Sequence, residues 1–131
     1  MTNEDVVRAY VEAFNAADWD RMAVLFTEDA SIRGVLGWGG LDVAVPIWRE
    51  LHDSMSMRLR LDEVILAGQK AAALFTETGA FKGSFRGLPA KEPTGRTYEI
   101  VAIEWFEFED GRIKRRWAAR DSGAITRQVL E

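Results

Sequence analysis

A chain of 131 residues is long enough for one domain that buries roughly two-thirds of its unfolded surface in a single core, and 47% hydrophobic with 29% charged residues is an ordinary balance for a soluble globular protein. The net charge of −4 argues against general binding to nucleic acid or acidic membrane surfaces, and the lack of cysteine excludes disulfides, thiolate metal sites and cysteine nucleophiles. The N-terminus has no apolar signal core and no run approaches about 18 apolar residues, so the cytoplasm is the expected compartment and no membrane partner is expected.

In chain order, Thr2 and Asp5 have capping-box spacing, and Val6, Val7, Tyr10, Val11 and Phe14 follow the three-four spacing of an amphipathic helix ending near 15–18. A second, short helix capped by Asp18 presents Trp19, Met22, Leu25 and Phe26, and a turn over 27–29 leads into a brief strand over 30–33. The stretch 34–40 has four glycines around Trp38 and predicts no regular element. It reads as a connection or as a flap that brings Trp38 over a pocket mouth. A third helix is predicted over 41–55, with Pro46 tolerable if the first turn begins there and Ile47, Trp48 and Leu51 on its buried side. His52, the single histidine, falls on that helix without the neighbours of a metal site, and reads as a packing or surface residue or as a pocket proton donor.

Strands are predicted over 57–67 and 70–83, the second containing Thr76, Thr78 and Phe81, with a turn at Gly68-Gln69 between them and a loop over 84–93 after them. Asp110-Gly111 then separates two runs of aromatic and branched residues, the pattern of a hairpin with a type I′ turn. Counting outward pairs Glu109 with Arg112, Phe108 with Ile113, Phe106 with Arg115, Glu104 with Trp117, Ala102 with Ala119 and Ile100 with Asp121, all on one face. That face, apolar apart from its carboxylates, is the expected pocket wall. The other face would carry Trp105 opposite Arg116, with Ile103 and Val101, and reads as a patch for a homodimer. A bulge would reverse these assignments beyond it. A short terminal helix is predicted over 124–130. Helices followed by long antiparallel strands predict an α+β domain in which helices pack on one face of a curved sheet, a cone with a cavity at one end. Five tryptophans either pack the core or line such a cavity around a flat, hydrophobic ligand.

The order of elements, the phrase GAFKGSF over 79–85, Gly87-Leu88-Pro89, Pro93-Thr94-Gly95-Arg96, Glu109-Asp110-Gly111-Arg112-Ile113, Trp117 and Asp121 together resemble the SnoaL-like polyketide cyclases of the cone-shaped nuclear transport factor 2 superfamily. The resemblance implies intramolecular aldol ring closure of a hydrophobic, polyketide-like carbonyl compound without a cofactor, with an aspartate four residues after a tryptophan as general acid/base. Here Trp117 and Asp121 have that spacing. Phe81 and Arg116 stand where the family often carries histidine, and the loop over 87–95 is longer than the family's usual form by about two residues. Limonene epoxide hydrolases share the architecture, but the arginine and aspartate they need are replaced here by Thr76-Glu77-Thr78.

Removing a proton beside a carbonyl needs a positioned base and a donor for the developing enolate oxygen. Asp121 on the apolar face is the expected catalytic residue. Trp117, Glu104, Phe106, Ala119, Trp38, His52 and Phe81 are the expected pocket residues, with Glu104 either a second titratable group beside Asp121 or a buried carboxylate held by Arg115 or a tryptophan N–H. Asp121 also has the placement of an N-cap for the last helix. The contrasting expectation is a small-molecule-binding protein on the same fold without turnover.

Overall fold

The computed structural model describes residues 1–34, 36–89 and 92–131. Val35, in the glycine-rich stretch, and Ala90 and Lys91, in the loop expected to be long, lie outside the described residues.

Helix α1 (Asn3–Asn15) starts at the predicted capping box: the Asp5 N–H donates to Thr2 Oγ1 at 3.1 Å and the Thr2 N–H to Asp5 Oδ2 at 2.9 Å. Its stripe of Val6, Val7, Tyr10, Ala13 and Phe14 is buried, and Asn15 clamps both backbone groups of Leu59 at 2.8 and 2.9 Å. Helix α2 (Trp19–Val24) is capped by Asp18, whose carboxylate accepts from the Arg21 N–H. Phe26 then opens strand β1 (Phe26–Gly34), which is longer than the strand predicted over 30–33. Part of the stretch expected to be irregular forms strand β2 (Gly37–Gly39), antiparallel to β1 with Trp38 opposite Arg33. Helix α3 (Leu41–Met55) accommodates Pro46 inside it and buries Ile47, Trp48 and Leu51 as predicted.

Strands β3 (Arg58–Ala67), β4 (Lys70–Ala80), β5 (Thr97–Glu109) and β6 (Arg112–Arg120) complete a six-stranded sheet in the order β2-β1-β6-β5-β4-β3, and helix α4 (Ser122–Leu130) closes the chain. The sheet is curved and unclosed, with the helices packed on one face, the α+β cone predicted. It is mixed, because β1 runs parallel to β6. Strand β4 stops at Ala80 because the chain turns to α3: the Lys82 and Gly83 N–H groups both donate to the Ser54 carbonyl at 2.9 Å.

The hairpin turn has positive φ at Asp110 (52°) and Gly111 (80°), as type I′ requires. The predicted register holds for Glu109 with Arg112 and Phe108 with Ile113, and then fails. Lys114 is an extra residue, so Glu107 pairs with Arg115, Phe106 with Arg116, Trp105 with Trp117, Glu104 with Ala118 and Ala102 with Arg120. The bulge is anchored on its flanks: the Ile113 N–H donates to the Leu25 carbonyl at 2.8 Å, and the Lys114 ammonium pairs with Glu109 at 2.9 Å. One inserted residue turns the rest of β6 over. Arg116, Ala118 and Arg120 therefore share the inward face of Glu104 and Ala102, while Trp117 and Ala119 face outward beside Trp105 and Ile103.

Gly79 on β4 shows how closely helix and sheet approach. A Cβ there would overlap both the Met55 carbonyl oxygen and the Tyr98 ring. Gly79→Ala should lower stability by about 1–3 kcal/mol, the usual range for overpacking. Urea unfolding should show a lower midpoint with an unchanged slope; an unchanged midpoint would contradict this close approach.

Candidate active site

Between the inward face of the sheet and helices α1 and α3 lies a narrow cavity that opens to solvent. Tyr10, Phe14, Ile32, Ile47, Trp48 and Leu51 give it an apolar wall, and its charged groups are Arg116 and Arg120. The turned-over half of β6 brings both there.

Each arginine belongs to a buried three-residue cluster. In the first, Glu104 Oε1 accepts from the Tyr10 hydroxyl at 2.7 Å and from Arg116 Nε at 2.8 Å. Arg116 Nη1 donates to the Arg33 carbonyl at 3.1 Å, and the guanidinium lies 5.8 Å from the ring centroids of Tyr10 and Trp48. In the second, Glu77 accepts from Arg120 Nε at 2.7 Å and from Arg120 Nη2, and the Tyr98 hydroxyl donates to Glu77 Oε2 at 2.6 Å. Glu77 and Glu104 are almost fully buried, at 0% and 2% exposure, so these partners supply what water would otherwise provide. Among the described residues no fully buried side-chain nitrogen or oxygen lacks a partner.

The clusters fix protonation states. Burial pushes the Tyr10 hydroxyl well above its ordinary value; Arg116 opposes this shift and the Glu104 carboxylate adds to it. Burial raises Tyr98 as well, reinforced by Glu77. For Arg116 burial pulls downward, but Glu104 and Tyr10 outweigh it and the net shift is upward. Arg120 follows the same balance, with Glu77 as the partner. The cavity thus meets charged guanidiniums, and the phenols remain donors.

The residues expected at a pocket divide. Glu104 and Phe106 face inward, Phe106 edge-on to Tyr10 with centroids 5.4 Å apart. Glu104 is held by Arg116 and Tyr10, not by Arg115 or a tryptophan. Phe81 is fully buried in the core but outside this cavity's wall. His52 sits beside the cavity-lining Leu51, edge-on to Trp19 at 6.0 Å and 3.6 Å from Asp53, and is not part of the wall either. Trp38, 43% exposed, lies on the outer face with Trp117, and the Arg115 guanidinium sits over both rings at 4.9 and 4.8 Å. Ala119 is exposed. Asp121 is exposed and caps α4, accepting from the Ala124 N–H at 2.9 Å, so the apolar surroundings expected for it are not present. Tyr10, Glu77, Tyr98 and Arg120 were not among the expected site residues. The available signal was charge balance: a carboxylate on an apolar strand face requires a buried cation. Among the described residues no three His, Asp or Glu side chains come together in a way that could hold a metal ion.

The profile of the SnoaL-like domain matches residues 7–116. The chain belongs to the SnoaL-like family. Solved structures agree with this SnoaL-like assignment. A candidate polyketide cyclase from Xanthomonas campestris pv. campestris is 27% identical with a TM-score of 0.86, over 96% of this chain and 95% of that one. Another, from Pseudomonas putida, is 28% identical with a TM-score of 0.83 over 99% of each chain. IdmH of Streptomyces antibioticus, also a candidate polyketide cyclase, is 23% identical with a TM-score of 0.84 over 98% of each chain, a likeness of fold. No curated protein matches the sequence at a significant level.

Two outcomes follow from the buried clusters of this SnoaL-like chain. Tyr10 and Tyr98 are its only tyrosines. Because folding raises both above the ordinary value of 10, the unfolded chain loses these protons first on alkalinisation. Their contribution to stability is then complete below pH 10 and declines as pH rises beyond it. Tyrosinate absorbance should appear together with alkaline unfolding; ionisation near pH 10 in the folded protein would contradict the burial. Arg116→Met leaves Glu104 buried without its cation and should cost about 3–5 kcal/mol. Adding Glu104→Leu should recover part of that loss in urea unfolding, whereas a fully stable single variant would show the pair to be dispensable.

Proposed function

We propose that this chain is a cofactor-free cyclase or isomerase that binds a hydrophobic, polyketide-like carbonyl compound in the cavity, with its oxygen toward Arg116 and Arg120. The supporting observation is an apolar wall that carries two charged guanidiniums already held in place by buried carboxylates. Proton removal beside a carbonyl puts negative charge on its oxygen, and donors fixed in advance at that point stabilise the charge without reorganising. The glutamates are committed to their arginines, so the proton acceptor in this reading is Asp121, next to Arg120 at the end of β6. Its carboxylate must release the Ala124 amide to reach the substrate. Candidate polyketide cyclases among the structural neighbours support the reaction class.

A second reading, ligand binding without turnover, is favoured by the same helix-capping bond, which keeps the Asp121 carboxylate at the surface. A panel of flat polycyclic ketones and esters, offered to wild type, Asp121→Asn and Arg120→Gln, separates the two. Under the enzyme reading, wild type binds and consumes a ketone, and Asp121→Asn binds it equally but loses about 10²–10⁴ in rate. Arg120→Gln loses both affinity and rate. Consumption that survives Asp121→Asn returns that residue to the role of a cap, and binding without consumption by wild type makes the chain a binding module.

The homodimer remains a proposal as well. Its patch is the outer sheet face, where Ile65, Val101 and Ile103 are 63%, 63% and 51% exposed. Trp117 joins Trp105 there, in place of the inward-facing Arg116. Light scattering after size exclusion should give a dimer mass; a monomer at micromolar concentration would remove the proposal.

A further inference from the structure

A second, wider cavity lies beside the first and shares two wall residues with it, Leu51 and Arg120. Its remaining wall comes from Met55 on α3, from Phe85, Gly87 and Leu88 in the segment after β4, and from Ser122, Ile125 and Thr126 on α4. This segment is tied down on both sides. Arg86 donates through its backbone N–H and its Nε to the Glu50 carboxylate on α3, at 3.2 and 2.9 Å, and Thr94 Oγ1 donates to the Val129 carbonyl on α4 at 2.7 Å. The Phe85 ring lies so close over Gly87 that a Cβ there would overlap it, so the glycine leaves room for the ring at this wall.

The Arg120 side chain, only 11% exposed, thus stands between two apolar spaces. Glu77 occupies its Nε and Nη2, leaving Nη1 free of that pair. We propose that the two cavities are one bipartite site for an elongated neutral ketone or ester, its carbonyl oxygen near mid-length at the Arg120 guanidinium and one apolar arm in each cavity. The charge count selects a neutral ligand. Glu77 neutralises Arg120 and Glu104 neutralises Arg116, so a carboxylate entering between them would be a buried charge without a counterion. A neutral carbonyl oxygen takes the guanidinium hydrogen bond at no such cost. This inference rests on the carbonyl-binding reading above and extends it to the length and charge of the ligand.

The test compares bis(phenylethyl) ketone, with an arm on each side of its carbonyl, and benzylacetone, its one-armed half. Binding is followed by tryptophan fluorescence, with thermal midpoints confirming that each variant is folded. The two-armed ketone should bind at least about tenfold more tightly, since burial of a second aromatic arm readily exceeds the increment that a tenfold change requires. Val43→Phe, at the first cavity, should weaken both ketones. Thr126→Phe, at the second, should bring the two-armed ketone down to the affinity of the one-armed ketone and leave benzylacetone unaffected; Thr126→Leu provides a milder version if the helix tolerates phenylalanine poorly. Arg120→Gln should weaken both. Equal affinity for the two ketones, or an unchanged two-armed affinity in both Thr126 variants, overturns the bipartite site. If benzylacetone binding still responds to Val43→Phe and Arg120→Gln, the carbonyl-binding reading survives that result. If neither ketone binds, both readings fall together.

Discussion

Two carboxylates buried among apolar side chains set the terms for the rest of this molecule. Glu104 and Glu77 sit on neighbouring strands with essentially no access to water, and each is made tolerable by one arginine and one tyrosine. The partners come from different parts of the chain. Tyr10 arrives on α1 and Arg116 on β6, so the first cluster pins the N-terminal helix to the sheet, and the bond from Arg116 to the Arg33 carbonyl adds β1. The second joins β4, β5 and β6 through Glu77, Tyr98 and Arg120.

Such clusters are an inefficient way to gain stability. A buried ion pair gives back in attraction much of what it loses in hydration, and well-packed apolar residues often do as well or better. What the clusters supply is polarity at a chosen place. They carry cationic donors to the wall of a cavity that is otherwise aromatic and aliphatic, and the neighbouring tyrosines complete the carboxylates' coordination without adding charge. This division, carboxylate in the core and guanidinium at the cavity, underlies the functional reading.

Much of the fold was legible because its signals are local. The Thr2 and Asp5 capping box, the Asp18 cap, the stripe on α1 and the Asp110-Gly111 turn each depend on a few adjacent residues, and each is found where expected. The family resemblance also rested on local phrases and element order. What could not be read was long-range. The parallel pairing of β1 with β6 depends on strands far apart in sequence, and β2 exists because β1 is there to pair with it. The site suffered from parity. The inward face of β5, with Glu104 and Phe106, was identified correctly, but the bulge at Lys114 has no compositional mark and it exchanged the faces of β6. Trp117 and Ala119 consequently moved outside, and Arg116 and Arg120 moved in. Asp121 lay near the end of the same count, where its alternative as a helix cap is the geometry observed.

The bulge has an evolutionary meaning too. Side chains alternate faces along a strand, so the choice between an arginine-lined and a tryptophan-lined wall depends on whether the strand bulges at Lys114 or pairs without interruption there. A relative that straightened the strand there, or that gained or lost one codon between a retained bulge and Arg116, would exchange the polarity of its chamber. In a lineage that diversifies its ligands, insertions and deletions near this turn would then matter as much as substitutions in the wall, and gapped positions in a sequence comparison would carry chemical information usually sought in the aligned ones.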